Sequence, residues 1–272
     1  MFGEGPRWRE GRLFFSDIGD HRVCSVGPDG RLETVARVEG EPSGLGWLPD
    51  GRMLVVSMRD HRLLRLDPDG LREVADLSPW CGGRANDMVV DAQGRAYVGN
   101  IGFDLEARPL APRPTSLLRI DPDGAVHVAA RELWCPNGLA ITADGRTLVA
   151  AESAAGRLAA FDVAADGSLA KPRVFATLPP GAAPDGICLD AEGAAWVASP
   201  TTREFLRVRA GGEVAERIPT GERVAIACAL GGPGRRTLFL VTSWTTGLAE
   251  ASRARRGQIE RCEVAVPGAG WP

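Results

Sequence analysis

Only three histidines occur in the 272 residues, His21, His61 and His127, and they share no short motif, so catalysis is not expected to rest on an imidazole. No GxSxG stretch is present, which with the missing histidine partner argues against a serine-hydrolase route. No run approaches the roughly 18 consecutive apolar residues of a membrane span. The opening "MFGEGPRWRE" also lacks the charged head and apolar run of a secretory signal. These absences lead to an expectation of a cytoplasmic protein without membrane contact. The net charge of −3 has no basic block behind it, and the arginines, which far outnumber the lysines, are scattered; nucleic acid is not an expected partner. Among six cysteines no CxxC pair occurs, so reduced thiols are expected and a thiolate zinc site is not. Cys24, Cys188, Cys228 and Cys262 sit in apolar runs, where cysteine usually serves as a small buried hydrophobe.

What is present is repetition. At 44% hydrophobic and 25% charged, the composition is that of an ordinary soluble globular protein. PDG recurs at residues 28, 49, 68 and 122, with AQG, ADG, AEG, AGG and GPG at similar intervals. Asp-Gly and its relatives between short alternating apolar runs signal hairpins, because glycine accepts the positive φ that such turns need. The runs between them, such as "RMLVVSM", "RAYVGN" and "TLFLVTS", are too short for helices, and little helix is expected. Hairpins grouped in pairs give six units of four candidate strands, starting near residues 5, 44, 87, 138, 186 and 227. A spacing of about 40 to 50 residues is that of propeller blades. The expectation is one all-β domain over residues 1–272, a six-bladed β-propeller. Its last unit offers only three clear strands, so the sixth blade is incomplete unless chain upstream of residue 1 closes it.

Aligning the units on their first strand places Glu4, Ser43, Asn86, Asn137, Asp185 and Ile226 at one position, just before the strand that lines the central channel. Four of these six carry oxygens suited to a cation. Two carboxylates and two amides form a hard, all-oxygen set that suits Ca²⁺, Mg²⁺ or Mn²⁺. Without a cation, Glu4 and Asp185 would repel across the channel. Taken singly, Asn137 or Asp185 reads as a turn cap; at four equivalent positions the cation reading gains. Ser43 and Ile226 are left outside the ligand set.

The stretches "EGPRW" (4–8), "RANDMVVDAQGRAYVG" (84–99), "CPNGLAITADGRTL" (135–148) and "PDGICLDAEGAAWVA" (184–198) resemble the family of senescence marker protein 30, gluconolactonase and luciferin-regenerating enzyme, over essentially the whole chain. The resemblance implies a six-bladed propeller lactonase in which Glu4, Asn137 and Asp185 hold one divalent cation, calcium first, with magnesium, manganese or zinc as alternatives. It also implies that Arg84 and Asn86 contact substrate oxygens, although an arginine such as Arg84 could equally serve a surface ion pair. The implied reaction is opening of a sugar-acid or related small lactone, with the metal polarising the carbonyl and Asp185 orienting or deprotonating the attacking water.

Substrate choice is expected from loops over the same mouth. The proline-rich segment 100–116, with Phe103, reads as a lid or wall, and segment 243–258 brings Trp244 near the entrance. Phe103, Trp80 and Trp244 are candidate apolar walls, each equally readable as simple packing. The expected partner is a small-molecule lactone, with the protein a monomer or weak homodimer. Two alternatives stand: the same metal acting on another ester or an organophosphate, and a metal-containing propeller that binds a ligand without chemistry.

Overall fold

A computed structural model describes residues 1–271. The turn glycines bend the chain as their sequence context requires; Gly51 and Gly94 hold φ of 89° and 81°, where a side chain would be strained. Hairpin follows hairpin, and the strands collect into five four-stranded antiparallel sheets and one three-stranded sheet, all in simple up-and-down order. These are the six blades of a β-propeller. Their innermost strands are Gly3–Arg9, Pro42–Trp47, Ala85–Val90, Pro136–Ile141, Ile187–Leu189 and Val224–Gly231. Each packs against the next around the channel, and the sixth packs against the first.

The core lies between blades rather than at one centre, because each sheet is apolar on both faces near the axis. Val149, Leu158 and Ala160 of the fourth blade meet Leu189, Val197 and Leu206 of the fifth. Leu54, Val56 and Leu63 of the second meet Met88, Val98 and Leu118 of the third. Each fully buried leucine or valine contributes on the order of 1.5–3 kcal/mol relative to exposure, so the ring is stabilised blade by blade.

The sixth blade consists of Val224–Gly231, Thr237–Ser243 and Gln258–Glu263 and has no fourth strand among the described residues. Beside its outer strand a groove of about 1010 Å³ opens toward the first blade, lined by apolar side chains including Leu13, Phe15, Leu32, Phe239 and Ile259. Closure comes from other contacts. Trp8 of the first blade stacks on Phe239 of the sixth at 5.3 Å. Residues 243–258, expected as an open loop, contain the one α-helix among the described residues, Leu248–Ala254. That helix buries Ala251 with Phe2, Ile18 and Met58, and Arg255 just beyond it pairs with Asp20 at 2.9 Å. On the opposite face, residues 267–271 run as a strap across three blades. The Ala191 amide donates to the Pro267 carbonyl at 2.8 Å, Ala269 to Leu189 at 3.0 Å, and Trp271 and Ile141 exchange bonds of 2.7 and 2.8 Å.

All six cysteines are free thiols. Cys24, Cys188 and Cys228 are buried as expected; Cys262 departs from the expectation, being only half-buried because it lies on the outer strand of the incomplete blade. No helix is long and apolar enough to cross a membrane.

Candidate functional site

The ring of aligned residues exists, with one adjustment of boundary. Glu4, Ser43, Asn86, Asn137 and Ile226 lie inside their strands, one or two residues from the start, and only Asp185 precedes its strand. Five of the inner strands slip register at this place: between Glu4 and Arg7, Pro42 and Leu45, Ala85 and Met88, Pro136 and Leu139, and Ala225 and Ala227. A bulge re-aims a side chain out of the regular alternation, which explains why a polar residue can sit on an otherwise apolar strand here. In the fifth blade the Asp185 amide donates to the Ala198 carbonyl at 2.9 Å and the Gly186 amide crosses to the Ile226 carbonyl at 3.0 Å.

In every blade but the third, where Asp87 follows Asn86, the residue after the ring residue is small, because the next inner strand lies against it. A Cβ on Gly44 would stand 2.4 Å from the Met88 amide nitrogen, one on Gly138 2.5 Å from the Asp185 carbonyl oxygen, and one on Gly186 2.4 Å from the Ala227 Cβ. The glycines thus let each inner strand lie close against the next beside the ring residues.

Asn137 donates Nδ2 to Ser153 Oγ at 3.3 Å, and Ser153 in turn donates to the Pro184 carbonyl at 2.6 Å, tying the amide to the segment that carries Asp185. Asn137 Oδ1 and Asp185 Oδ1 are enclosed and accept no hydrogen bond among the described residues. The hydroxyl of Ser43, placed outside the ligand set by sequence, is enclosed and unpartnered in the same way. Buried acceptors are nearly always satisfied in folded proteins; oxygens left open at one ring await a donor or a cation.

Charge reinforces this. Burial first, then Asp185 and Asp87, push the Glu4 carboxyl well above the usual range, against the Gly5 amide and Arg7. Asp185 is pushed up to about 8, mainly by burial, with the Asn137 amide pulling down and Asp87 pushing up. A divalent cation would offset both the burial of the two carboxyls and their mutual repulsion, so the residues present fit one. Among the described residues no three His, Cys, Asp or Glu side chains form a cation cluster by themselves; a cation here must draw on amide and hydroxyl oxygens too. Cys135, close enough to feel Asp185, has its thiol raised to about 12, first by burial, and stays protonated, so the set remains one of hard oxygens.

Asn86 is buried at the third ring position. Arg84, two residues earlier, spends its guanidinium on Glu41 and on Glu106, the latter at 3.2 Å. Phe103 is 8% exposed and packs on Ile101 and Cys135, next to the strand of Asn137. Trp244 is 40% exposed and carries Arg256 over its ring at 5.3 Å. Trp80 is also on the surface. Segment 101–114 has no strand or helix and lies between Ala96–Asn100 and Thr115–Ile120.

Two residues were missed by sequence reasoning. Asp87 follows Asn86, and its carboxylate meets the Arg7 guanidinium at 2.7 Å, with both side chains almost wholly buried. A comparison of the positions one and three residues past each ring residue would have exposed them as the charged exceptions among small residues.

Residues 2–244 match the model of the SMP-30/Gluconolactonase/LRE-like region. Regucalcin of Xenopus laevis is 26% identical over 266 residues, covering 94% of this chain and 87% of that protein. A 6-deoxy-6-sulfogluconolactonase of Pseudomonas putida is 28% identical over 280 residues, covering 100% of this chain and 94% of the other. Among solved structures, the calcium-binding protein regucalcin of Agrobacterium tumefaciens superposes with a TM-score of 0.78 at 21% identity, over 99% of this chain and 91% of its own. A propeller of six blades with this order of motifs, matched over most of its length, belongs to the SMP-30/gluconolactonase/LRE-like family.

Proposed function

We propose that the protein is a divalent-cation-dependent lactonase acting at the channel mouth, with Glu4, Asn137 and Asp185 as the cation's protein ligands and Ca²⁺ as the favoured ion. The observation that carries this reading is the pair of enclosed, unpartnered oxygens, Asn137 Oδ1 and Asp185 Oδ1, beside Glu4, whose carboxyl is pushed well above the usual range by burial and then by Asp185. Lactone hydrolysis as the reaction is supported by the family and by the sulfogluconolactonase relative. Calcium is supported by the hardness of the donors and by the Agrobacterium tumefaciens regucalcin of the same fold, a calcium-binding protein.

When bound, a divalent cation supplies polarisation of a carbonyl and acidification of a water. The rest falls to the chain. Ser153 fixes the Asn137 amide through Nδ2 and leaves Oδ1 free to bind a cation. Asp185 orients the attacking water and accepts its proton at a carboxylate oxygen. Asn86 holds a ring hydroxyl, and Arg84 offers the guanidinium donors not used by Glu41 and Glu106. Phe103, packed on Cys135 just before the Asn137 strand, and the exposed Trp244 are assigned as apolar walls for the substrate. Asp185 returns the proton it takes from the water to the departing ring oxygen, which leaves as a free hydroxyl, and the new carboxylic acid releases the second water proton to solvent as it becomes a carboxylate.

The test is hydrolysis of a lactone panel including glucono-1,5-lactone, followed by pH-stat on EDTA-treated protein before and after adding back Ca²⁺, Mg²⁺, Mn²⁺ or Zn²⁺. Activity should vanish with the metal and return with it. Asp185→Asn should lower kcat/KM by at least about a hundredfold, as loss of a general base does, and weaken Ca²⁺ binding as well. Hydrolysis of no lactone with any ion, or a near-normal Asp185→Asn enzyme, overturns the reading.

A further inference from the structure

At the position after the ring residue, the blades carry Gly5, Gly44, Asp87, Gly138, Gly186 and Ala227; three residues past it they carry Arg7, Gly46, Val89, Ala140, Cys188 and Ala229. Ten of these twelve places hold small or apolar residues, and the two that do not bind each other. Burying an ion pair costs several kcal/mol of desolvation per ion, and a well-packed apolar pair is often no less stable. Stability therefore does not explain why a channel built on glycine and alanine admits one arginine and one aspartate.

Their geometry suggests a use. Arg7 Nη1 donates to the Pro6 carbonyl at 2.9 Å and Nε to the Leu45 carbonyl of the second blade at 2.9 Å. Nη2 reaches the third blade, donating to Asp87 Oδ1 at 2.7 Å and to the Met88 carbonyl at 2.6 Å. Asp87 also accepts from its neighbour's amide, Met88, at 2.8 Å, and the Leu139 amide of the fourth blade lies near enough to draw its carboxyl down. One side-chain pair thus hydrogen-bonds the inner strands of three consecutive blades and stands against that of the fourth. Three of those strands carry Glu4, Asn86 and Asn137, and Arg7 lies one strand-turn past Glu4.

We propose that Arg7 and Asp87 are positioning residues, a crossbeam that sets the spacing of Glu4, Asn86 and Asn137 so that the ring can close on a divalent cation. This rests on the cation site proposed above. A planar guanidinium fork is required, since it meets carbonyls and a carboxylate in three directions at once, which an ammonium cannot do.

The sign of one effect separates positioning from charge. Arg7 is a cation near a cation site, so if it acted only through its field, its removal would tighten metal binding. A crossbeam predicts the opposite. Calorimetric titration of Ca²⁺ into the full-length, EDTA-stripped protein should show Arg7→Gln binding at least tenfold more weakly than wild type. Asp87→Asn should show a similar loss, and the double variant little more than either single one. Arg7→Lys, which retains the charge, should lose affinity while its urea midpoint stays close to wild type, a split that a merely stabilising role would not produce; it also decides the matter if Arg7→Gln does not fold. Unchanged or tighter Ca²⁺ binding in the Arg7 variants overturns the crossbeam alone. A wild-type protein that binds neither Ca²⁺ nor Mn²⁺ overturns the cation site and the crossbeam with it.

Discussion

Asp185 is the residue where sequence, charge and chemistry meet, and its protonation gives a prediction with a definite sign. In the metal-free protein its carboxyl sits at about 8, against an ordinary value of 3.8, and Glu4 is raised in the same direction. A raised folded-state pKa means that the native state holds the proton more tightly than the unfolded chain. The stability this contributes is complete below about pH 4 and is lost as the pH climbs through about 8. Thermal melts in EDTA should therefore fall across that window. With saturating Ca²⁺ the decline should flatten or reverse, because the ion displaces the proton and its apparent affinity rises toward pH 8. Melting curves identical with EDTA and with Ca²⁺ would count against a cation at this ring. Glu4, Asn137 and Asp185 were legible in the sequence because the repeat aligns them. The same alignment marks Asp87 and Arg7 as charged exceptions, but their burial and their pairing with each other were not legible before the fold was known. Ser43 was legible as a ring member but not as an open acceptor, which depends on what fails to reach it.

At the scale of the element, the inner strand is built around two devices, a bulge that turns one polar side chain inward and a small residue that lets the neighbouring strand approach. Gly186→Ala tests the second. Its new Cβ would stand 2.4 Å from the Ala227 Cβ and press the segment that carries Asp185 away from the inner strand of the sixth blade. Overpacking of this kind costs about 1–3 kcal/mol, so the urea midpoint should drop, and Ca²⁺ affinity should drop with it. A variant as stable as wild type would mean that the inner strands have slack. The turns that end these strands were readable from Asp-Gly spacing alone. The helix Leu248–Ala254 was not, because seven residues are too few to display a helical period and are marginal as an isolated helix. Packing against Phe2, Ile18 and Met58 stabilises it.

For the whole molecule the question is how a ring with a three-stranded last blade stays closed. The helix and Trp8 join the sixth blade to the first, and the strap of residues 267–271 joins it to the fifth and fourth. Each strap hydrogen bond contributes roughly 0.5–1.5 kcal/mol net. Deleting residues 267–272 should therefore lower stability by a few kcal/mol and leave a still cooperative urea transition with an earlier midpoint. An unchanged midpoint would assign closure to the helix and the aromatic stack alone.

The repeat period, the turns, the all-β class, the six blades and the polar ring all follow from the sequence, because each depends on local patterning that recurs and can be compared with itself. Tertiary structure decided the rest: which acceptors remain unpaired, how far burial and neighbouring carboxylates raise Asp185, that Arg84 is held by Glu41 and Glu106, and that Arg7 meets Asp87. These are contacts between blades some forty or eighty residues apart, as Arg7 and Asp87 are. No local pattern encodes them, since their energies depend on distance and desolvation that exist only once the ring has closed.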